Sequence, residues 1–289
     1  MAETAWTIKA LLQWTTEHFT KKGLDSPRLD AELLLAHVLN CKRIDLIVRY
    51  DELPTDAEKT AFRELVKKRL DRCPTAYLVG VREFYLLPFE VTPAVLIPRP
   101  DTETLVDAAI DFLKKRPTPT ALDVGTGSGC VAVSLANAVK AATVTAADVS
   151  PDALAVAKRN AKRNGVADRV QFLNGNLFSP LSAGTSFDLI VSNPPYIPPV
   201  EIETLMPEVK DHEPRIALDG GTDGLAFYRR LSAESGRWLK PGGGLMVEIG
   251  HTQADAVRNL FESAGFQVGK TIKDRGGRPR VVVGKMEKA

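Results

Sequence analysis

Three cysteines, four histidines and 7% aromatic residues are a thin supply of reactive and stacking side chains for a chain of 289 residues. Cys41, Cys73 and Cys130 are odd in number, widely spaced and form no CxxC pair, and His18, His37, His212 and His251 lie equally far apart. Neither a disulfide framework nor a metal centre is expected from such a set, and the thiols read as small hydrophobes in a reducing compartment. No apolar run approaches the ~18–20 residues that span a bilayer. Met1–Trp6 has neither the basic flank nor the apolar stretch of a signal peptide, so a soluble, cytoplasmic protein with no membrane partner is expected. Charge of one sign is also missing. Basic residues number 38 and acidic 36, which lacks the surplus needed to grip a phosphate backbone, and no stable nucleic-acid binding is expected. The last twenty residues are the exception, with seven basic residues against Asp274 and Glu287. They read as a solvated strand pair, and a contact to something anionic stays open.

What is present is an ordinary globular composition, 44% apolar and 26% charged, over a length that suits one large or two modest domains. Residues 1–76 read as a helical bundle. Trp6, Leu11, Leu12 and Phe19 fall near helical spacing, and Gly23 suits a C-terminal cap. Ser26-Pro27 reads as a cap followed by proline, with Leu29, Leu33, Leu34 and Val38 as the next buried stripe. Thr55 with Glu58 is a capping box. Residues 77–100 read as a hairpin linker, with Val95–Pro100 extended by its prolines. From 101 to 289, strands expected at 120–124, 143–148, 170–174, 187–192, 244–249, 266–272 and 279–284 alternate with amphipathic helices, which means an α/β domain with a mostly parallel sheet. The last two strands lack an intervening helix and should pair antiparallel.

Three motifs carry chemistry. Leu122-Asp-Val-Gly-Thr-Gly-Ser-Gly129 sits where a strand gives way to a helix, the place at which open α/β sheets bind ligands. Its G-x-G-x-G spacing meets the dinucleotide fingerprint only in part, and a tight turn without a ligand is the bland alternative. Asp148 closes the next strand, where a carboxylate can accept two hydrogen bonds from a ribose diol or simply end a turn before the helix at Ser150-Pro151. Together, Gly125, Thr126, Gly127, Ser128, Gly129 and Asp148 point to an adenosine-bearing cofactor. The third motif, Ser192-Asn-Pro-Pro-Tyr196, ends the fourth strand. The Asn193 side-chain oxygen and the Pro194 carbonyl are two acceptors for a planar –NH2 group, with Pro195 stiffening the loop and Tyr196 expected as a flat wall.

These motifs resemble those of class I S-adenosylmethionine-dependent methyltransferases that alkylate planar nitrogens. Leu96-Ile-Pro-Arg-Pro-Asp-Thr-Glu103, Asn193-Pro-Pro-Tyr-Ile197, Glu213-Pro-Arg-Ile-Ala-Leu218 and Gly220-Gly-Thr-Asp-Gly-Leu225 narrow the resemblance to the HemK/PrmC family over nearly the whole chain. The resemblance implies a Rossmann-like, seven-stranded, mostly parallel sheet with a C-terminal antiparallel pair, preceded by a helical substrate-recognition domain. It implies S-adenosylmethionine as cofactor and peptide chain release factors as partners, methylated on the glutamine amide nitrogen of their Gly-Gly-Gln motif. Asn193, Pro194 and Tyr196 would be catalytic, and Asn193–Tyr196 would bind substrate. Gly125–Gly129, Asp148, Asn176, Leu177 and Asn193 would hold the cofactor, and no metal is required. Asn176 stands where the family often has aspartate near the adenine. A DNA or RNA amino-methyltransferase is the alternative, since Asn-Pro-Pro-Tyr also occurs there.

Overall fold

The computed structural model describes residues 6–287, which divide into two compact units. The first runs to Gly80 and recruits a distant piece of chain, Pro207–His212; the second holds the remainder.

In the first unit, helices α1 (Ile8–Lys21), α2 (Pro27–Val38), α3 (Asp45–Val48), α4 (Asp56–Leu70) and α5 (Thr75–Val79) surround one apolar centre. Their ends are set locally. The Thr7 hydroxyl accepts from the Ala10 N–H at 3.2 Å, and the Thr55–Glu58 capping box has both halves formed. Ser26 makes no side-chain cap, so Pro27 with its preset φ starts α2 unaided. The stripe expected along α2 is also displaced. Leu29 is 38% exposed, while Ala31, Leu34 and Leu35 are buried with Ile8, Leu12, Phe19, Phe62 and Val66. Helix α2 packs against both α1 and α4, and its buried face is the one those neighbours share. Charge is buried here too. Arg69 donates to Asp30 at 2.9 Å and to Glu208 at 2.9 Å, and the Thr75 hydroxyl donates to Asp30 at 2.7 Å. A groove of about 390 Å³ is lined by Trp6, Leu11, Trp14, Phe62, Val66 and Leu70, with Lys59, Arg63 and Lys67 spaced four apart along α4.

The second unit opens with an antiparallel hairpin, β1 (Val81–Phe84) and β2 (Leu87–Glu90), turned by Tyr85 and Leu86 at positive φ. The main sheet follows: β3 (Thr120–Val124), β4 (Thr143–Asp148), β5 (Val170–Asn174), β6 (Phe187–Ser192), β7 (Leu239–Glu248), β8 (Gln267–Val268), β9 (Ile272–Lys273) and β10 (Pro279–Lys285). Its order is β5-β4-β3-β6-β7-β10-β8, with β9 also paired to β10. The strand expected at 266–272 is thus two short pieces sharing one edge position, so eight strands fill seven places. Neighbours from β5 to β7 are parallel, while β10 runs antiparallel to β7, β8 and β9. Helices α6 (Glu103–Leu113), α7 (Cys130–Ala138), α8 (Pro151–Arg163), α9 (Ala226–Ser235) and α10 (Ala254–Ser263) cover the sheet. Successive β6 residues alternate between two apolar clusters, Leu189 and Val191 in one and Ile190 in the other, as a sheet buried on both faces requires.

The basic C-terminal stretch is solvated at Lys270, Lys273, Arg275, Arg278 and Lys285, and one residue departs from that expectation. Arg280 is buried, donating to Asp274 at 3.2 Å and pairing with Asp101 at 3.0 Å, because β10 lies inside the sheet, between β7 and the broken edge. Chain connection reverses direction at β3, which has β4 on one side and β6 on the other. The carboxyl ends of those strands are where an open α/β sheet leaves its crevice.

Candidate active site

A crevice of about 270 Å³ opens at that point, and the motifs converge on it. Gly125, Thr126, Gly127 and Ser128 reach it from β3, Asp148 from β4, Asn176 and Leu177 from beyond β5, and Asn193, Pro194 and Pro195 from β6. Gly125 and Gly127 hold φ of +74° and +54°, and a Cβ on either would meet no protein atom within 4 Å. The space those missing side chains leave open belongs to whatever lies in the crevice.

Asp148 ties the loop down. Its Oδ2 accepts from the Gly127 N–H at 2.8 Å and its Oδ1 from the Ser150 N–H at 2.9 Å. Burial pushes this carboxyl up, against hydrogen bonds from the Ser150, Gly127 and Val149 N–H groups. Three donors on about four lone-pair sites leave room for a ligand hydroxyl. The donor set, the open glycine cradle and the adjoining apolar Leu177 suit an adenosine group.

Two expected residues stand behind the crevice rather than in it. Gly129 starts α7 at φ +79°, where a Cβ would sit 3.0 Å from that of Ala157, so its role is close packing of loop on α8. Tyr196 turns inward against the apolar cluster under α9, and its carbonyl accepts from Gln253 Nε2 at 3.0 Å. Burial pushes its phenol up to about 12. Its expected role as an aromatic wall is therefore corrected, since the ring is held by the core and absent from the crevice lining. Asn176 lines the crevice, and its side-chain oxygen accepts from Arg230 at 3.0 Å.

Several lining residues had no assignment from sequence. Asp123 is buried, accepting from the Thr126 hydroxyl at 2.6 Å and the Ala132 N–H at 3.2 Å, and burial pushes it up to about 7. A lone carboxylate inside an apolar strand was the available signal. Arg99 donates to Glu213 at 2.5 Å, fixing the mouth where Pro214, Ile216 and Ala217 join the lining. Phe227 faces the crevice from α9. Thr102 accepts from Asn193 Nδ2 at 3.2 Å, and its motif Leu96–Glu103 carried no role for it.

A glycine cradle, a carboxylate closing β4 and a fixed amide just past β6, borne on this sheet, define a class I S-adenosylmethionine-dependent methyltransferase. A methyltransferase from Pyrococcus furiosus has a similar fold, with a TM-score of 0.54 at 22% identity, covering 76% of this chain and 99% of that one. The families described as PrmC N-terminal domain and Methyltransferase small domain match residues 10–80 and 102–207. The chain is 44% identical to the release factor glutamine methyltransferase of Rhodopirellula baltica, over 99% of its own length and 98% of that protein's. It is 46% identical to the one from Geobacter sulfurreducens, over 97% of each. The chain belongs to the release factor glutamine methyltransferase family.

Proposed function

We infer that this enzyme transfers a methyl group from S-adenosylmethionine to the side-chain amide nitrogen of the glutamine in the Gly-Gly-Gln motif of peptide chain release factors. Bound S-adenosylmethionine supplies an electrophilic methyl group on a sulfonium. Gly125–Ser128 shape its bed, Asp148 accepts from its ribose, and Leu177 covers its ring. An amide nitrogen is a weak nucleophile because its lone pair is shared with the carbonyl, so orientation carries much of the rate. Holding two reactants in line can be worth ~7–11 kcal/mol.

The observation that supports the amide clamp is the Asn193 side chain. With Nδ2 held on Thr102, its Oδ1 is left to accept one glutamine N–H, and the Pro194 carbonyl takes the other. Both acceptors favour the positive charge that grows on nitrogen as the methyl arrives, and both are oriented beforehand. As the N–C bond forms and the S–C bond breaks, one N–H proton leaves to water. Tyr196 acts from behind, holding the loop through its packed ring and the Gln253 contact.

The helical unit supplies substrate recognition in this reading. Ordering a flexible glutamine side chain costs roughly 1.5–2 kcal/mol, and the clamp touches few of its atoms, so binding energy must come from elsewhere on the release factor. The enzyme acts in the cytoplasm, where translation ends, and holds no nucleic acid stably; the near-equal count of 38 basic and 36 acidic residues supports that.

Labelled cofactor incubated separately with a release factor, its Gln→Ala variant, a Gly-Gly-Gln peptide and DNA tests the substrate. Label is expected in the intact release factor alone, with little in the peptide; label in DNA, or equal label in the glutamine variant, overturns the reading. In the same assay Asn193→Ala should bind cofactor and transfer almost no methyl, and near-normal turnover would dismiss the clamp.

A further inference from the structure

Behind the clamp lies a buried carboxylate that the mechanism above does not use. The carboxyl ends of β6 and β7 run side by side, with Ser192 opposite Val247, so that Asn193 and Glu248 leave the sheet as neighbours. Glu248 is 1% exposed and Thr102 2%. The Thr102 hydroxyl accepts from Asn193 Nδ2, and beside it lies the Glu248 carboxylate, whose Oε2 has no hydrogen-bond partner among the described residues. We propose that Glu248, acting through Thr102, fixes which end of the Asn193 amide faces the substrate, and so works as a positioning residue for methyl transfer. The proposal rests on the assignment of Asn193 as an acceptor for the glutamine amide.

Donor counting gives the direction. An ionised carboxylate only accepts, so the single hydroxyl proton of Thr102 must go to Glu248. Thr102 then has only lone pairs for Asn193, which must present Nδ2 to it and Oδ1 to the crevice. A protonated Glu248 can instead donate to Thr102, freeing the threonine proton for Asn193 Oδ1. The asparagine then flips and points a donor at a substrate group that is itself a donor. One proton, two hydrogen bonds away, reverses the polarity of the clamp.

The surroundings put that proton within reach of neutral pH. Arg280 on β10, Asp101 and Arg99 ahead of α6, Tyr196 beyond β6, Tyr228 on α9 and Cys130 on α7 are the titratable and charged groups that act on Glu248. Burial pushes Glu248 up to about 7, against the Thr102 hydrogen bond and Arg280, whose guanidinium is already shared with Asp101 and Asp274. The ionised, productive form gains as pH rises through that value, so transfer is switched off on the acid side.

Turnover at saturating release factor and cofactor, measured from pH 5.5 to 8.5, tests the relay in the full-length enzyme. Wild-type turnover should fall roughly tenfold per unit below about pH 7. Thr102→Val should lower turnover about 10- to 100-fold at pH 8, with cofactor affinity unchanged, because an unmatched buried amide faces the substrate. Thr102→Ser, which restores the hydroxyl, should recover the wild-type profile. Glu248→Gln should flatten the pH profile and, by removing a buried charge, unfold at pH 8 at a temperature no lower than wild type. A carbon-13 NMR titration of the glutamate carboxyls should show one group titrating near 7 that is missing in Glu248→Gln. Wild-type turnover in Thr102→Val, or an unchanged profile in Glu248→Gln, would overturn the relay. Retained turnover in Asn193→Ala would instead remove the clamp beneath it, so the two failures are told apart.

Discussion

Asp148 carries two loads. It closes the loop by taking the Gly127 and Ser150 N–H groups, and in the proposed function it also accepts from the ribose of the cofactor. Asp148→Ala removes charge-assisted hydrogen bonds worth ~1.5–3 kcal/mol, so cofactor affinity measured by calorimetry should fall roughly 10- to 100-fold. An unchanged affinity would refute the ribose assignment. The place of Asp148 in the crevice was legible in the sequence because the signal is local: an acid at a strand end, one strand after a glycine loop. The glycines were legible for the same reason, since a positive φ is demanded at the residue itself. Thr102 and Glu248 were not. Thr102 meets Asn193 across 91 positions of sequence, and only the pairing of β6 with β7 puts Glu248 beside them. Tyr196 shows the converse failure: a tyrosine next to a clamp suggests a wall, but the glycines at 220, 224 and 250 make a berth that draws it into the core.

At the scale of elements, period and capping placed most strands and helices, and the departures have packing causes. Strand β7 begins at Leu239, ahead of the apolar run that marks its centre, because Phe187 on β6 pairs with Leu239. Helix α2 buries Ala31 rather than Leu29 because two neighbours share that face. The buried arginine of α4 had no signal at all, since its partners come from α2 and from a segment beyond residue 200. Arg69→Met leaves Asp30 and Glu208 as buried charges without their common partner. Breaking such a group costs ~3–5 kcal/mol, which thermal and urea unfolding should register as a loss of that size. A loss under 1 kcal/mol would show that water reaches the carboxylates.

Across the molecule, the proposed function assigns chemistry to one unit and grip to the other. The groove of the helical unit pairs exposed Trp6 and Trp14 with the row Lys59, Arg63 and Lys67, which suits an acidic, apolar-anchored surface of the release factor. Reversing Arg63 and Lys67 to Glu should raise KM for the release factor about 10-fold and weaken its dependence on salt, while cofactor affinity stays put. Unchanged KM would move recognition off this groove.

The recruitment of Pro207–His212 by the helical unit also has a temporal side. Arg69 leaves the ribosome 139 positions ahead of Glu208. At translation rates of about 5–20 residues per second, the guanidinium waits roughly 7–28 s for its second carboxylate, and the sheet strands β3 to β6 are made in the meantime. The helical unit therefore emerges first and is completed late, so its final closure reports that the stretch bearing Asn193–Tyr196 has already been synthesised.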